Sequence, residues 1–101
     1  METYIYKVSC KETTVTDTYI GHKFRKEFAG SGLKSLCKRG ANSRAALFIN
    51  ERGGWDNWEV SILEHFKFGH TKQMTDRLKE LQKLHNATLN GRPKKKRLLK
   101  K

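Results

Sequence analysis

The sequence predicts an α/β domain of the α+β type, in which helices flank a central antiparallel sheet of three strands. Apolar and polar residues alternate over 4–8 and partly over 59–66, which is typical of strands. A third short run, 18–21, contains an aromatic and a β-branched residue followed by a glycine that permits a turn. Beyond residue 70, apolar residues recur every three or four positions, as on one face of a helix. The 101 residues suffice for one modest core.

The first two strands predict a long hairpin. Tyr6 and Val8 share one face of strand 4–8, while Ile5 occupies the other face. The polar segment 11–17 is longer than the tight hairpin loops. Pairing of the two strands brings the hydroxyls of Tyr6 and Tyr19 together, and two neighbouring phenols suit a phosphate or a metal-bound water.

The segment after the hairpin is the hardest to interpret. Residues 22–29 predict a short helix, with Phe24 and Phe28 four positions apart on one face. The glycines at 30–32 are expected to break that helix. Residues 33–40 then form either one helical turn or a loop.

The second half of the chain predicts a helix, a strand and a longer helix. Asn42 or Ser43 suits the N-cap of the first helix, and Gly53 lies where its C-terminal cap belongs. The strand occupies 59–66, and the last helix runs from about 72 to 85. The apolar stripe of that last helix is Met74, Leu78, Leu81 and Leu84.

The formal net charge of +12 is unevenly distributed. The last eleven residues hold seven bases and no acid, which leaves 15 basic and 10 acidic residues in 1–90. Within 23–44, seven bases face the single acid Glu27. These bases are Lys23, Arg25, Lys26, Lys34, Lys38, Arg39 and Arg44. A basic surface beside two phenols predicts a polyphosphate partner, namely nucleic acid.

Composition divides the chain into a domain, 1–90, and a basic tail, 91–101. The tail bases proposed to contact nucleic acid are Arg92, Lys94, Lys95, Lys96 and Arg97. The cluster from Pro93 to Arg97 resembles a nuclear import signal, although purely electrostatic binding explains it equally well. We expect an intracellular protein, located in the nucleus or in a viral factory or virion. No apolar run approaches the roughly 20 residues of a membrane span, so we expect no membrane partner.

Several motifs carry a resemblance to a known family. Tyr4-Ile5-Tyr6 and Tyr19-Ile20-Gly21 resemble the paired signature of the GIY-YIG nucleases. Residues 46–59, with their Gly-Gly-Trp-Asp-Asn-Trp sequence, are similar to the helix, turn and strand of compact GIY-YIG domains in large DNA viruses and phages. Thr88-Leu89-Asn90 resembles the segment that closes the family domain. The resemblance therefore spans residues 4 to 90 and implies a GIY-YIG-like fold.

The resemblance also implies a chemistry, which is phosphodiester hydrolysis with one divalent cation such as Mg²⁺. Tyr6 would act as general base or orient the water, and Tyr19 would support it. An arginine would stabilise the phosphate charge, and a helical glutamate would hold the cation. Arg25 is the arginine nearest the expected position, and His22, next to the second motif, is a candidate assisting residue. Asn90 either caps the last helix or orients a group of the site.

The sequence departs from the family pattern at the metal ligand. The place of the helical glutamate is taken by Leu78, which cannot bind Mg²⁺. Glu80 is the closest carboxylate, but two helical steps rotate it away from Leu78. Glu64, near the end of the third strand, is the other candidate ligand. The first motif also has Tyr4 in place of its glycine.

We therefore predict a nucleic-acid-binding protein with a degenerate GIY-YIG endonuclease-like domain, binding DNA in preference to RNA. Two alternatives stay open at this point. One is an active metal-dependent endonuclease, and the other is a structural component of a virion or ribonucleoprotein assembly.

Overall fold

The computed structural model describes residues 1–90. Its strands are β1 (Glu2–Cys10), β2 (Thr18–Lys23) and β3 (Trp58–Lys67), and its α-helices are α1 (Ser31–Arg39), α2 (Arg44–Glu51) and α3 (Thr71–Leu84). The strands form one antiparallel sheet in the order β2-β1-β3. The predicted sheet flanked by helices is confirmed. The basic tail, with Arg92, Lys94, Lys95, Lys96 and Arg97, lies outside the described residues.

The two faces of β1 contact different helices, because successive side chains of a strand point to opposite sides. Tyr6, Val8 and Cys10 pack with buried residues of α1 and α2. Ile5 packs on the other face, with Ile20 of β2 and with Leu81 of α3. The predicted alternation of Tyr6 and Val8 against Ile5 is confirmed, and the sheet lies between two layers of helix.

A bulge in β3 determines the face of the sheet on which Glu64 lies. Ile62 pairs with Tyr6, but Glu64 pairs with the adjacent residue Ile5, so β3 holds one extra residue at this point. Ile62 therefore lies on the face of Tyr6, whereas Glu64 lies on the opposite face, with α3. Simple alternation would have placed Ile62 and Glu64 on one face.

The predicted helix over 22–29 is wrong. β2 continues to Lys23, and only one 3₁₀ turn, Lys26–Phe28, follows it. The glycines begin a helix here, because Gly30 adopts φ +79° as the N-cap residue of α1. Phe24 and Phe28 stay exposed, while Leu33 and Cys37 of α1 take the buried positions. The open alternative for 33–40 is thereby resolved as a helix.

The other helices follow their predicted signals closely. Ser43 is the N-cap residue of α2, and its hydroxyl accepts a hydrogen bond from the Ala46 N–H at 3.2 Å. Met74 and Leu81 of α3 are buried, but the prediction for Leu84 is wrong because this last helical residue is 74% exposed. Within residues 1–90, no helix has the length and apolar character needed to cross a membrane.

Candidate functional site

The two phenols meet on the face of the sheet that α1 and α2 cover. Tyr6 lies opposite Gly21, and Tyr19 lies opposite Val8, which makes the two tyrosines diagonal neighbours on one face. Their ring centroids are 6.4 Å apart, with an angle of 33° between the ring planes. The structure thus brings together the pair that the hairpin predicted.

Gly21 leaves the space that the Tyr6 ring occupies. A Cβ atom at Gly21 would lie 2.6 Å from the Tyr6 hydroxyl oxygen, 2.9 Å from Cζ and 3.1 Å from Cε1 of Tyr19. Gly21 lies inside β2, so its role is not the turn that the sequence suggested. A glycine is needed here because any side chain would displace the Tyr6 ring.

Both rings line a groove that runs along the edge strand β2. This "phenol groove" has a volume of about 500 Å³. Its lining is Tyr6, Tyr19, Ile20, Gly21, His22, Lys23, Gly32, Leu33, Leu36, Leu78, Gln82 and Asn90. It therefore joins the edge of the sheet to the start of α1 on one side and to α3 on the other.

The first turn of α1 borders the groove through Gly32 and Leu33. Gly30 has no side chain to cap the helix, and the first intrahelical bond runs from the Lys34 N–H to the Gly30 carbonyl at 2.9 Å. The N–H groups before Lys34 have no partner within the helix. The ammonium of Lys23 lies over this turn, 3.7 Å from where a Cβ of Gly32 would be. The partial positive charge of the α1 N-terminus and the full positive charge of the Lys23 ammonium therefore lie close together.

The phenols of the groove are hydrogen-bond donors at neutral pH. Burial, followed by the neighbouring Tyr19, raises the pKa of Tyr6 well above its ordinary value, and the backbone of Gly30 opposes this shift with a hydrogen bond. Burial also raises the pKa of Tyr19. Tyr6 is only 4% exposed. A phenol with a raised pKa is a poor general base, whereas its O–H group can donate to an anion.

His22 borders the groove from the opposite face of β2. Its Nδ1 lies 3.1 Å from the hydroxyl oxygen of Thr3, and that hydroxyl donates its one proton to the Lys23 carbonyl at 3.0 Å. Nδ1 must therefore carry a proton and donate it to Thr3. Burial, and then the charge of Lys23, lowers the pKa of His22, so the imidazole is neutral at pH 7. This hydrogen bond holds the His22 ring of β2 against Thr3 of β1.

Asn90 forms two hydrogen bonds with the backbone of Ile20, the middle residue of the Tyr19-Ile20-Gly21 motif. Its Oδ1 accepts from the Ile20 N–H at 2.6 Å, and its Nδ2 donates to the Ile20 carbonyl at 2.9 Å. The Gln82 side chain also donates to this carbonyl, at 3.1 Å. These side chains take the place of a neighbouring strand along the outer edge of β2. Of the two predicted roles, capping of α3 is wrong, because Asn90 binds the strand that carries Tyr19.

Arg25 lies outside the groove. Its Nε is 3.4 Å from Glu27, its guanidinium stands 5.7 Å from the ring centroid of Phe28, and its side chain is 70% exposed. Arg25 is not part of the groove lining, and Lys23 supplies the cation there.

Neither candidate metal ligand reaches the phenols. Arg77 binds both carboxylates: its Nε donates to Glu64 at 2.8 Å, and its NH1 donates to Glu80 at 2.7 Å. The hydrogen bond from Arg77 holds the pKa of Glu64 below its ordinary value.

The divalent cation that the resemblance implies does not fit the residues of this groove. Helix α3 contributes Leu78 and Gln82 to the lining of the groove. Within residues 1–90, no aspartate or glutamate lines the groove. Among the same residues, no group of three or more His, Cys, Asp or Glu side chains could hold a metal ion.

The remaining predicted basic residues of the domain are exposed. Lys26, Lys34, Lys38, Arg39 and Arg44 are all exposed. Lys38 lies 4.0 Å from Asp56, a weak contact between two exposed side chains. These exposed side chains can contact a polyanion, but among the predicted bases within residues 1–90 only Lys23 lines the groove itself.

The sequence interpretation missed Gln82 and the start of α1. Gln82 follows Leu78 by four positions, so the helical spacing alone places the two on one face. The start of α1 is not evident from the sequence, because two glycines so close together are typical of a break between elements. No residue pattern in 22–32 signals the left-handed conformation of Gly30.

Comparison of the chain with protein-family models, with curated proteins and with solved structures gave no match. The interpretation of the groove therefore depends on its own chemistry. Its donors are the protonated phenols of Tyr6 and Tyr19, the ammonium of Lys23 and the N–H groups at the start of α1, whereas the imidazole already donates to Thr3 and the two amides already donate to Ile20. Such a set of donors suits an oxyanion rather than a cation.

Proposed function

We propose that this chain is a nucleic-acid-binding protein whose phenol groove holds a backbone phosphate without cleaving it. One observation carries the proposal. The groove combines Tyr6, Tyr19 and Lys23 with the start of α1, while Leu78 occupies the side where a helical carboxylate would be needed. In this reading the domain is a GIY-YIG endonuclease-like fold that keeps its phosphate contacts and has lost its metal ligand.

The charge of the whole chain supports a polyanionic partner. A net charge of +12 attracts nucleic acid over distances of a Debye length, about 8–10 Å at ordinary salt concentrations. The exposed lysine and arginine side chains of α1, together with the basic tail, extend the contact beyond one phosphate. The raised pKa of Tyr6 supports binding rather than base catalysis, because the protonated phenol donates and cannot take a proton from water.

Binding is tested by fluorescence anisotropy of labelled DNA at several salt concentrations. For Lys23→Ala we expect weaker binding and a plot of log K against log salt that is shallower by about 0.9, which corresponds to one lost phosphate contact. Lys79→Ala is the matched control, because it removes the same charge from an exposed position of α3 outside the groove lining. If both variants lose affinity equally, the phosphate does not lie in the groove.

Cleavage is tested on supercoiled DNA with Mg²⁺ or Mn²⁺. We expect no nicking by the wild-type protein above a no-protein control. Nicking that Tyr6→Phe abolishes would establish the active endonuclease instead. Strong binding only within an assembly, with weak binding of the isolated protein, would favour the structural role.

A further inference from the structure

Two phenylalanines next to the phenol groove are left in solvent. Phe24 is 59% exposed and Phe28 is 49% exposed. Both belong to the segment 24–30, which connects β2 to α1, and both of these elements line the groove. None of the residues in the 3₁₀ turn that contains Phe28 is buried, so this turn contributes no side chain to the hydrophobic core.

Each ring is accompanied by a cation or by a residue of the groove. The Phe24 ring meets the His22 ring edge-on, at 5.7 Å between centroids and 80° between planes, and His22 lines the groove. The guanidinium of Arg25 stands over Phe28, 5.7 Å from the ring centroid. The path from the groove to Phe24 is therefore continuous through His22.

The charges around the rings identify the partner. The segment 23–28 carries Lys23, Arg25 and Lys26 against one acid, Glu27, which already pairs with Arg25. An apolar partner would have to remove these exposed charges from water, which costs free energy. A nucleic-acid strand offers phosphates for the cations and flat bases for the rings. Bases are available for stacking only where they are unpaired.

We infer that Phe24 and Phe28 stack on unpaired bases of a single strand whose backbone phosphate occupies the phenol groove. The inference rests on the proposed function and deepens it, because it names the form of nucleic acid. Duplex DNA, whose bases are stacked on one another, cannot use these rings without being opened. The protein therefore prefers single strands.

Three labelled probes of equal length separate the bases from the phosphates. They are an oligothymidylate, a duplex of that strand with its complement, and an abasic strand that has the same backbone without bases. We expect the wild-type chain to bind the oligothymidylate most tightly. For Phe24→Ala and Phe28→Ala, we expect a loss of roughly fivefold or more per ring for the oligothymidylate and no change for the abasic strand.

Two further variants sharpen this test. Phe24→Leu keeps an apolar side chain but removes the ring, and we expect it to behave like Phe24→Ala. Leu47→Ala truncates an exposed apolar side chain of α2 outside the groove lining, and we expect wild-type affinity for all probes. Because all three native side chains are exposed, the variants should melt at wild-type temperature by circular dichroism.

The outcomes distinguish this inference from the proposed function. Equal binding of the oligothymidylate and the abasic strand, or unchanged binding by both phenylalanine variants, overturns base stacking but leaves phosphate binding in place. Tighter binding of the duplex overturns the preference for single strands. Absence of binding to all three probes by the wild-type chain refutes the proposed function itself.

Discussion

Substitution of Gly21 by alanine tests the arrangement on which the phenol groove depends. The added Cβ would lie 2.6 Å from the Tyr6 hydroxyl oxygen and 2.9 Å from Cζ, both well inside van der Waals contact. The Tyr6 ring cannot easily move away, because it is 4% exposed and packed in the core beside α1 and α2. Overpacking of this kind typically costs about 1–3 kcal/mol. For a domain of this size, 2 kcal/mol lowers the melting temperature by about 8–16 °C.

Gly32→Ala is the matched control in the same groove. Its new Cβ would have its nearest neighbour, Nζ of Lys23, at 3.7 Å, which is ordinary contact. Alanine in the first turn of α1 reduces the freedom of the unfolded chain, so we expect the melting temperature to stay equal or to rise slightly. Thermal unfolding followed by circular dichroism measures both variants. A Gly21→Ala protein that melts within error of the wild type would refute the reasoning.

A double-mutant cycle locates the cause of the destabilisation. Tyr6→Phe removes the hydroxyl oxygen that is closest to the new Cβ, although Cζ stays at 2.9 Å. We therefore expect Gly21→Ala to cost less in the Tyr6→Phe background than in the wild type. Additive effects of the two substitutions would show that the clash lies elsewhere.

Three further predictions concern polar side chains of the sheet and of the segment after α3. Asn90→Ala leaves the buried Ile20 N–H unsatisfied and should cost about 1–3 kcal/mol in chemical denaturation, while Asn42→Ala, at an exposed asparagine, should cost little. The hydrogen bond from Arg77 lowers the pKa of Glu64. The stability that this ion pair contributes is therefore fully present above the ordinary pKa of a glutamate and is lost as the pH falls below it. The difference in melting temperature between the wild type and Glu64→Gln should therefore shrink towards acid pH, and a constant difference would contradict the ion pair. Burial raises the pKa of Tyr6 and Tyr19, so the 295 nm absorbance of both phenolates should develop above pH 10, and Tyr6→Phe and Tyr19→Phe should each remove one such step.

The position of Glu64 shows how the fold decides chemistry that the sequence leaves open. Its carboxylate is only two residues from Ile62, which shares a face with Tyr6. Without the bulge, strand alternation would direct Glu64 towards the phenols. The bulge directs it to α3, where Arg77 binds it. One extra residue in β3 thus moves a carboxylate off the face of the sheet that carries the phenols.

The local signals in the sequence were sufficient wherever a pattern matched one element. Alternation in β1 predicted the two faces of the sheet, and the spacing of Met74, Leu78 and Leu81 predicted the face of α3. The hairpin predicted the proximity of Tyr6 and Tyr19 because strand pairing is a nearly local event. Residues 22–32 were misread because glycine has no side chain to reveal which conformation it adopts.

By itself, the sequence determined the three strands, the last two helices and the pairing of the phenols. Only the tertiary structure decided that Lys23 rather than Arg25 supplies the cation, that Asn90 binds Ile20, and that Glu64 binds Arg77. The physical reason is distance along the chain. Periodicity reports which side of its own element a residue occupies, whereas these contacts depend on how elements far apart in sequence are placed against one another.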